Sequence, residues 1–436
     1  MRFVHMADVH FDSPFSSLSV RESLSNKRRL AQREVFKKAI EYIKEENIPF
    51  LFISGDLYEQ VYVKTSTIEF INDLFKTIPN TKIFIAPGNH DPYLINSPYN
   101  TFKWNDNVYI FNNEIKIIEL NDEVDIYGFG FNDFYCTNSN IENIQIKNKE
   151  KINILITHGS LDASKTLELK YNPINSSKLK NIGFDYVALG HIHKGNYLNN
   201  ENNLIYPGSL ISFGFDELGV HGILDVKINK NNLINNNYLN NSENNKINEI
   251  NNNKIINNNL INENNSEKNI NNLNNLENNL NKNELNNNFL ENKNNYFENK
   301  INNLKNNEKN IEINFIKLEN EIFIEKIVNS ENINSEENAI EFLNNEKYDD
   351  DKLYKIIFEG TKKCDLNPNT ICKLVSNKNI LKVKDETKIG YDLNKISEQK
   401  NLKGMFVKNL LDKIESNPDQ KEQIEKAIEI GLEMFE

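Results

Sequence analysis

The chain has 436 residues, enough for two domains and a large buried core, yet only 38% of them are hydrophobic, so part of the length is not core-forming. A formal net charge of −12 excludes the overall basic field that alone would hold a nucleic-acid backbone. The acidity is not confined to a tail, because residues 1–225 carry 22 Lys and Arg against 28 Asp and Glu. Bound cations remain able to supply local positive charge for a phosphate.

In chain order, short runs rich in β-branched and aromatic residues predict strands at Phe3–Ala7, Phe50–Ser54, Ile83–Ala86, Ile152–Thr157 and Tyr186–Leu189. Between the first two, Arg21–Asn47 reads as an amphipathic helix with Leu30, Val35, Ala39, Ile40 and Ile43 as its apolar stripe. Shorter strands at Val108–Phe111, Ile115–Leu120 and Val124–Phe129 suggest added antiparallel pairing. Strand–helix alternation of this kind argues for an α/β domain. From Asn231 to Asn310, 40 of 80 residues are Asn. Asn competes with helix through its own side-chain bonds, so this stretch is expected to be a low-complexity, mostly disordered insertion. An alternating strand returns at Ile311–Leu318 as the hairpin partner of Gly222–Ile228. Strands at Phe323–Ile327, Leu353–Phe358 and Ile380–Val383, with two C-terminal helical patterns, predict a smaller α/β unit.

Cys136, Cys364 and Cys372 show no Cys-x-x-Cys spacing, and their odd number argues against a disulfide framework. The N-terminal segment lacks the apolar core and small-residue cleavage site of a signal peptide. No run of about 18 apolar residues occurs, so a spanning helix is excluded. A cytoplasmic protein without a membrane partner is the expectation.

All seven histidines lie before residue 222. Five fall in motifs that directly follow strand-like runs: Asp8-Val9-His10, Gly55-Asp56, Gly88-Asn89-His90-Asp91, His158-Gly159 and Gly190-His191-Ile192-His193. Each places a metal-capable side chain at the C-terminal end of a strand, the edge where α/β folds assemble sites. Carboxylates, imidazoles and an amide oxygen suit hard to borderline divalent ions. Asp8 and His10 share one side of an extended chain, as do His191 and His193. Asp56 stands alone, where one carboxylate could bridge two ions. Taken singly, each motif also reads as an ordinary turn or a satisfied core histidine. The ordered set of five, each behind a strand, is what points to phosphoester hydrolysis.

This order of motifs resembles the calcineurin-like metallophosphoesterases over residues 1–225. The resemblance implies that Asp8, His10, Asp56 and His193 hold one ion, and that Asp56, Asn89, His158 and His191 hold the other. His90 would be a non-ligand group that contacts the scissile phosphate and helps the leaving oxygen, with Asp91 orienting its imidazole. Asp8-Val9-His10-Phe11-Asp12-Ser13-Pro14-Phe15, Gly55-Asp56-Leu57-Tyr58, Tyr206-Pro207-Gly208-Ser209 and Leu402–Val407 are similar to the SbcD/YhaO branch of DNA repair exonucleases. That branch implies a capping domain that shapes DNA access and a coiled-coil ATPase partner of the SbcC/YhaN type. Glu59 stands where some repair nucleases carry a second histidine.

Other residues carry two readings. Trp104 could stack on a base or pack at a domain edge. Lys27, Arg28, Arg29, Arg33, Lys37 and Lys38 form either a solvated helix face or a backbone-contact surface. His5 reads as structural, and His221 as packing or capping. Gly208-Ser209 is a plain turn or a source of substrate-facing N–H groups. The terminal helix Ile424–Phe435 closes a core or offers an apolar strip to a partner.

The expected fold is α/β: a layered metallophosphoesterase β-sandwich flanked by helices at residues 1–228, an Asn-rich insertion at 229–310, a returning hairpin strand at 311–321 and a small α/β capping domain at 322–436. The expected function is a DNA nuclease with two divalent metal ions, Mn²⁺ foremost, working with the ATPase and as a monomer or homodimer. The rivals are a small-molecule phosphodiesterase or phosphoprotein phosphatase, and a non-catalytic scaffold that docks DNA or the ATPase.

Overall fold

The computed structural model describes residues 1–15, 18, 22–163, 168–197, 203–229, 304–306, 311–390 and 393–435. It divides into two compact units, Met1–Asn320 and Glu321–Glu436. In the first, the strands in chain order are β1 (Arg2–Met6), β2 (Phe50–Ile53), β3 (Lys82–Ile85), β4 (Val108–Ile110), β5 (Lys116–Glu119), β6 (Val124–Phe129), β7 (Ile152–His158), β8 (Ser160–Leu161), β9 (Pro173–Ile174), β10 (Tyr186–Gly190), β11 (Leu204–Ile205), β12 (His221–Ile228), β13 (Leu304–Asn306) and β14 (Ile311–Glu319). Helices α1 (Glu22–Glu45), α2 (Thr65–Lys76), α3 (Pro98–Thr101) and α4 (Ser176–Ile182) join them.

Two sheets make the layers. One has the order β13-β14-β12-β1-β2-β3-β4, and the other β11-β10-β7-β6-β5. In the first sheet β1, β2, β3 and β4 run parallel, while β12 and β14 extend it antiparallel on the far side of β1. The second sheet is parallel except for its β5–β6 edge. Alternation along each strand sends one set of side chains between the sheets. Phe3, Phe52, Phe84, Ile126, Ile154, Ile156, Tyr186 and Leu224 meet there in one buried core. The opposite set, Val4, Met6, Leu51, Ile53, Ile83 and Ile85, is buried too, so the first sheet is covered on both faces. Helix α1 lies on that outer face, where Tyr42 donates to Asp225 at 2.9 Å and Arg2 reaches the same carboxylate at 2.7 Å. On the second sheet, Leu155, Val187 and Leu189 pack with Leu179 of α4.

Helix α1 departs from its expected stripe. Leu30 is 65% exposed, whereas Phe36 is fully buried. The inward ladder runs Ser25, Arg28, Gln32, Val35/Phe36, Ala39/Ile40 and Ile43, at helical spacing of three and four, and Leu30 lies off it. Arg28 therefore leaves the basic surface read from the sequence. It is buried, with Nη1 2.7 Å from Glu319 Oε1 and Nη2 donating to the Ser212 carbonyl at 2.6 Å. Trp104 packs, donating Nε1–H to the Pro98 carbonyl at 3.1 Å with its ring beside Tyr99.

Strand β14 pairs antiparallel with β12, Ile228 opposite Ile311. Leu304–Asn306, within the Asn-rich stretch, add a short strand to β14. The expectation of disorder for the rest of that stretch falls on residues outside the described ones.

In the second unit, Phe323–Asn329, Leu353–Glu359 and Ile380–Asp385 form a parallel three-stranded sheet. It shares a core with Ala339 and Leu343 of one helix and Ile371 of another. Helices Leu402–Ser416 and Lys421–Glu433 enclose a separate cluster of Val407, Ile428 and Leu432. The terminal helix thus closes a core, and Ile430 on it stays exposed.

The Arg28–Glu319 pair yields a stability test. Arg28→Ala strands a buried carboxylate, and removing one partner of a buried pair costs about 3–5 kcal/mol. Urea denaturation of the variant should show a loss of that size, and a loss below about 1 kcal/mol would mean that solvent reaches Glu319.

Candidate metal centre

The five motifs converge at the C-terminal edge of both sheets. Asp8 and His10 follow β1, Asp56 follows β2, Asn89 and His90 follow β3, His158 ends β7, and His191 and His193 follow β10. Backbone bonds carry the β1–β2 register into these loops: Asp8 N–H donates to Gly55 at 3.1 Å, His10 N–H to Asp56 at 2.8 Å and Phe11 N–H to Leu57 at 3.0 Å. Asp8, His10, Asp56 and His191 all sit at positive φ, 53°, 53°, 54° and 105°. Such backbone costs about 1–3 kcal/mol per residue and persists only where its surroundings enforce it.

The side chains form overlapping groups. Asp8, His10 and His193 offer ligand atoms within 4.8 Å of one another, as do Asp56, His158 and His191. His10, Asp56 and His90 make a third such group. Asp56 joins them, its Oδ2 lying 3.7 Å from His10 Nε2 and 3.3 Å from His158 Nε2. Asn89 Oδ1 is 3.0 Å from His158 Nε2. His191 N–H donates to both Asp8 oxygens, at 3.0 and 3.1 Å, tying the first motif to the last.

Outer partners fix the rings. His10 Nδ1 is 2.9 Å from Glu59 Oε1, His193 Nδ1 is 2.6 Å from Glu217 Oε1, and His158 Nδ1 is 2.9 Å from the Ser54 carbonyl. All three face acceptors, so Nδ1 is the donor and Nε2 is turned inward. His10 Nε2 and His193 Nε2 then meet at 3.0 Å, which only a proton or a cation between them stabilises. The donor set therefore fits divalent ions.

The electrostatics agree. Burial opposes ionisation of Asp56, but the imidazoles of His158, His10 and His90 outweigh it and hold the carboxyl well below its usual range. Burial lowers His158, while the Asp56 charge and hydrogen bond raise it to about 9 on balance. His193 reaches about 9 against burial, through Glu217 and the charge of Asp8. Burial, with the charge of His158 adding, drives His191 down to about 3.

Two sequence readings are corrected. Asp91 does not orient His90. Its buried carboxylate accepts the N–H groups of Asp56 at 2.9 Å, Leu57 at 2.7 Å and Gly88 at 2.6 Å, and the Tyr99 hydroxyl at 2.6 Å. The partner of His90 Nδ1 is Glu59 Oε2, at 2.8 Å. Burial lowers the His90 ring, but that bond and the Asp56 charge lift it to about 9. At Gly208-Ser209 the Ser209 N–H is spent on the His193 carbonyl at 3.0 Å, so the turn braces a motif. Glu217 was missed, since it lies 24 residues beyond His193 in a loop without a motif. His5 bridges the sheets, its ring nitrogens 2.9 Å from the Tyr186 hydroxyl and 3.0 Å from Ser54 Oγ. His221 is anchored on the Ser209 and Glu217 carbonyls at 3.0 and 3.1 Å.

Residues 1–195 match the family model described as calcineurin-like phosphoesterase. The chain is 26% identical over 231 residues to the uncharacterized metallophosphoesterase YhaO of Bacillus subtilis, covering 51% of this chain and 56% of that one. It is 25% identical over 279 residues to the SbcD component of the SbcCD nuclease of Staphylococcus epidermidis, covering 55% of this chain and 69% of that one. The chain thus spans little more than half the length of the first of these relatives.

A shared Asp56 has a measurable consequence. Asp56→Ala should abolish both Mn²⁺ events in a calorimetric titration, with the fold retained by circular dichroism. One surviving full-affinity event would show that the carboxylate is not shared. Coordination needs neutral imidazole, and His158 and His193 stay protonated up to about pH 9 without metal. Mn²⁺ affinity should therefore rise, with proton release, from about pH 6.5 towards pH 9; a flat profile would contradict those assignments.

Proposed function

Because residues 1–195 form a calcineurin-like phosphoesterase domain, we propose that this chain is a metal-dependent nuclease hydrolysing the backbone phosphodiesters of DNA. The observation that carries the reading is Asp56 standing between His10 and His158, with a complete acid, imidazole and amide set on either side. Two divalent ions held there, Mn²⁺ foremost, would acidify a water and polarise the phosphoryl oxygens. Asp8, His10, Asp56 and His193 hold one ion, and Asp56, Asn89, His158 and His191 the other.

The chain's own groups do the rest. His90, with a side chain 43% exposed, is the most open imidazole of the cluster that has its Nδ1 on a carboxylate. Its Nδ1 is engaged by Glu59, which leaves Nε2 for substrate. Carrying a proton at neutral pH, it can donate to the leaving oxygen as the P–O bond breaks. Asp91 acts behind it, pinning the backbone of Asp56, Leu57 and Gly88.

Similarity to a protein named as part of the SbcCD nuclease favours DNA as substrate and a coiled-coil ATPase as partner, in DNA repair in the cytoplasm. Residues 322–436 are assigned as the capping domain that shapes DNA access. No described helix is long and apolar enough to cross a membrane.

The test sets DNA ends against small phosphoesters. Mn²⁺-dependent cleavage of a DNA duplex or single strand, at a kcat/KM well above that for phosphomonoesters and cyclic nucleotides, is expected. His90→Ala should reduce DNA cleavage by about 10²–10⁴-fold, the usual worth of a general acid, with two Mn²⁺ ions still bound by calorimetry. Faster turnover of small phosphoesters than of DNA would turn the reading towards a phosphatase or small-molecule phosphodiesterase. Metal binding without any hydrolysis would leave a docking scaffold.

A further inference from the structure

Glu59 follows the Gly55-Asp56 motif by three residues, and its carboxylate divides between two imidazoles of different duty. Oε1 lies 2.9 Å from His10 Nδ1 and Oε2 lies 2.8 Å from His90 Nδ1. The two rings stand edge to face with centroids 4.7 Å apart. The backbone straps the same two loops: Glu59 N–H donates to the Phe11 carbonyl at 2.9 Å, beside His10, and Gln60 N–H donates to the His90 carbonyl at 2.8 Å. Its own carbonyl accepts the Tyr62 and Val63 N–H groups at 2.9 and 2.8 Å, which stops the segment from swinging. A carboxylate held this way has both oxygens aimed with little freedom left to lose.

Resting on the nuclease reading of the site, we propose that Glu59 is a positioning residue whose single carboxylate sets His10 towards the metal pair and His90 towards the leaving oxygen. Asp91 cannot do this for His90, because its oxygens are filled by three backbone N–H groups and a tyrosine hydroxyl. In the step served, the oxygen of water forms the new bond to phosphorus and sheds its proton to solvent. The bond to the leaving alcohol breaks, its electron pair goes to that oxygen, and His90 Nε2 supplies the proton, later regained from solvent. A leaving group that is already a stable anion needs that proton far less.

Glu59→Gln keeps the size but can present an acceptor oxygen to only one of the two rings. At saturating Mn²⁺, the variant should lower kcat on DNA by about 10–100-fold with KM little changed, part of the range for general acids. Its loss on bis(p-nitrophenyl) phosphate should be at least about tenfold smaller. Combined with His90→Ala, it should add little further loss on DNA, and Glu59→Asp should recover part of the rate.

Two readouts need no turnover. Mn²⁺ affinity by calorimetry should fall by about 10–100-fold, the usual cost of removing an outer partner of a metal-ligating histidine. The downfield Nδ1–H proton resonance that His90→Gln removes from the Zn²⁺-loaded protein should shift or vanish in Glu59→Gln. Equal losses on both substrates, or an unmoved His90 resonance with unchanged Mn²⁺ affinity, would overturn the role given to Glu59. If the wild type cleaves no DNA, the nuclease reading fails by itself, and the affinity and the resonance still decide on Glu59.

Discussion

The centre depends on one carboxylate being presented to two imidazoles from opposite sheets. Asp56 Oδ2 lies between His10, carried by the first sheet, and His158, carried by the second. Two like-charged rings would repel across that gap without an anion, and a buried lone carboxylate would take up a proton. Each side makes the other tolerable. The backbone is bent to reach this point, with Gly55 at φ 86° and Asp56 at φ 54°. Asp91 catches the Asp56 N–H, and Gly88 approaches so closely that a Cβ there would run into Asp56 Oδ1. A glycine at position 88 is thus demanded by contact, and the sharp turn is braced by the aspartate three residues on.

Such a carboxylate is useful only if the two sheets keep a fixed separation at that edge. The buried bridge of His5, Ser54 and Tyr186 supplies this, with Ser54 Oγ also donating to the Ala188 carbonyl at 3.0 Å. Burial drives His5 down to about 3, so the bridge stays neutral and does not compete for the charges of the metal edge. Gly190 allows the approach from the second sheet, since a Cβ there would strike the Ser54 carbonyl. The spacing of the sheets and of the metal ligands is therefore set by the same few residues.

Much of this was legible in the sequence, and the failures have a common cause. Ligand motifs are readable because each lies at the end of an apolar run, where strand and loop are distinguished by composition alone. The layered α/β class followed from the same runs. The partners that hold the rings were not readable, because they are long-range. Glu217 reaches His193 across a loop that carries no pattern, and Asp91 looked like the partner of His90 only because it is adjacent in the chain. The turn that brings His90 forward points the neighbouring side chain backwards, into the backbone of Asp56. On α1, Leu30 was counted by hydrophobicity, whereas the inward face takes Arg28 and Gln32, whose polar ends find buried partners.

The long Asn-rich stretch can be carried without disturbing the centre because of where it leaves the fold. Strand β12 runs antiparallel to β1, with Leu224 beside His5 and Lys227 beside Arg2. The ligand-bearing loop follows the end of β1, whereas the chain departs from β12 beyond Ile228, next to the start of β1, where the terminal amine donates to the Ile228 carbonyl at 2.7 Å. The exit is thus at the opposite edge of the sheet from the metal ligands. Closing a loop costs entropy only as the logarithm of its length, so added residues there weigh little against a β12–β14 ladder that runs from Ile228–Ile311 to His221–Glu319. That ladder brings the chain back to the metal edge, where Glu319 is seized by Arg28 and by the Ser212 N–H at 2.9 Å. The buried ion pair therefore stands where the returning strand must stop, on the same side of the sheet as the site it leaves undisturbed.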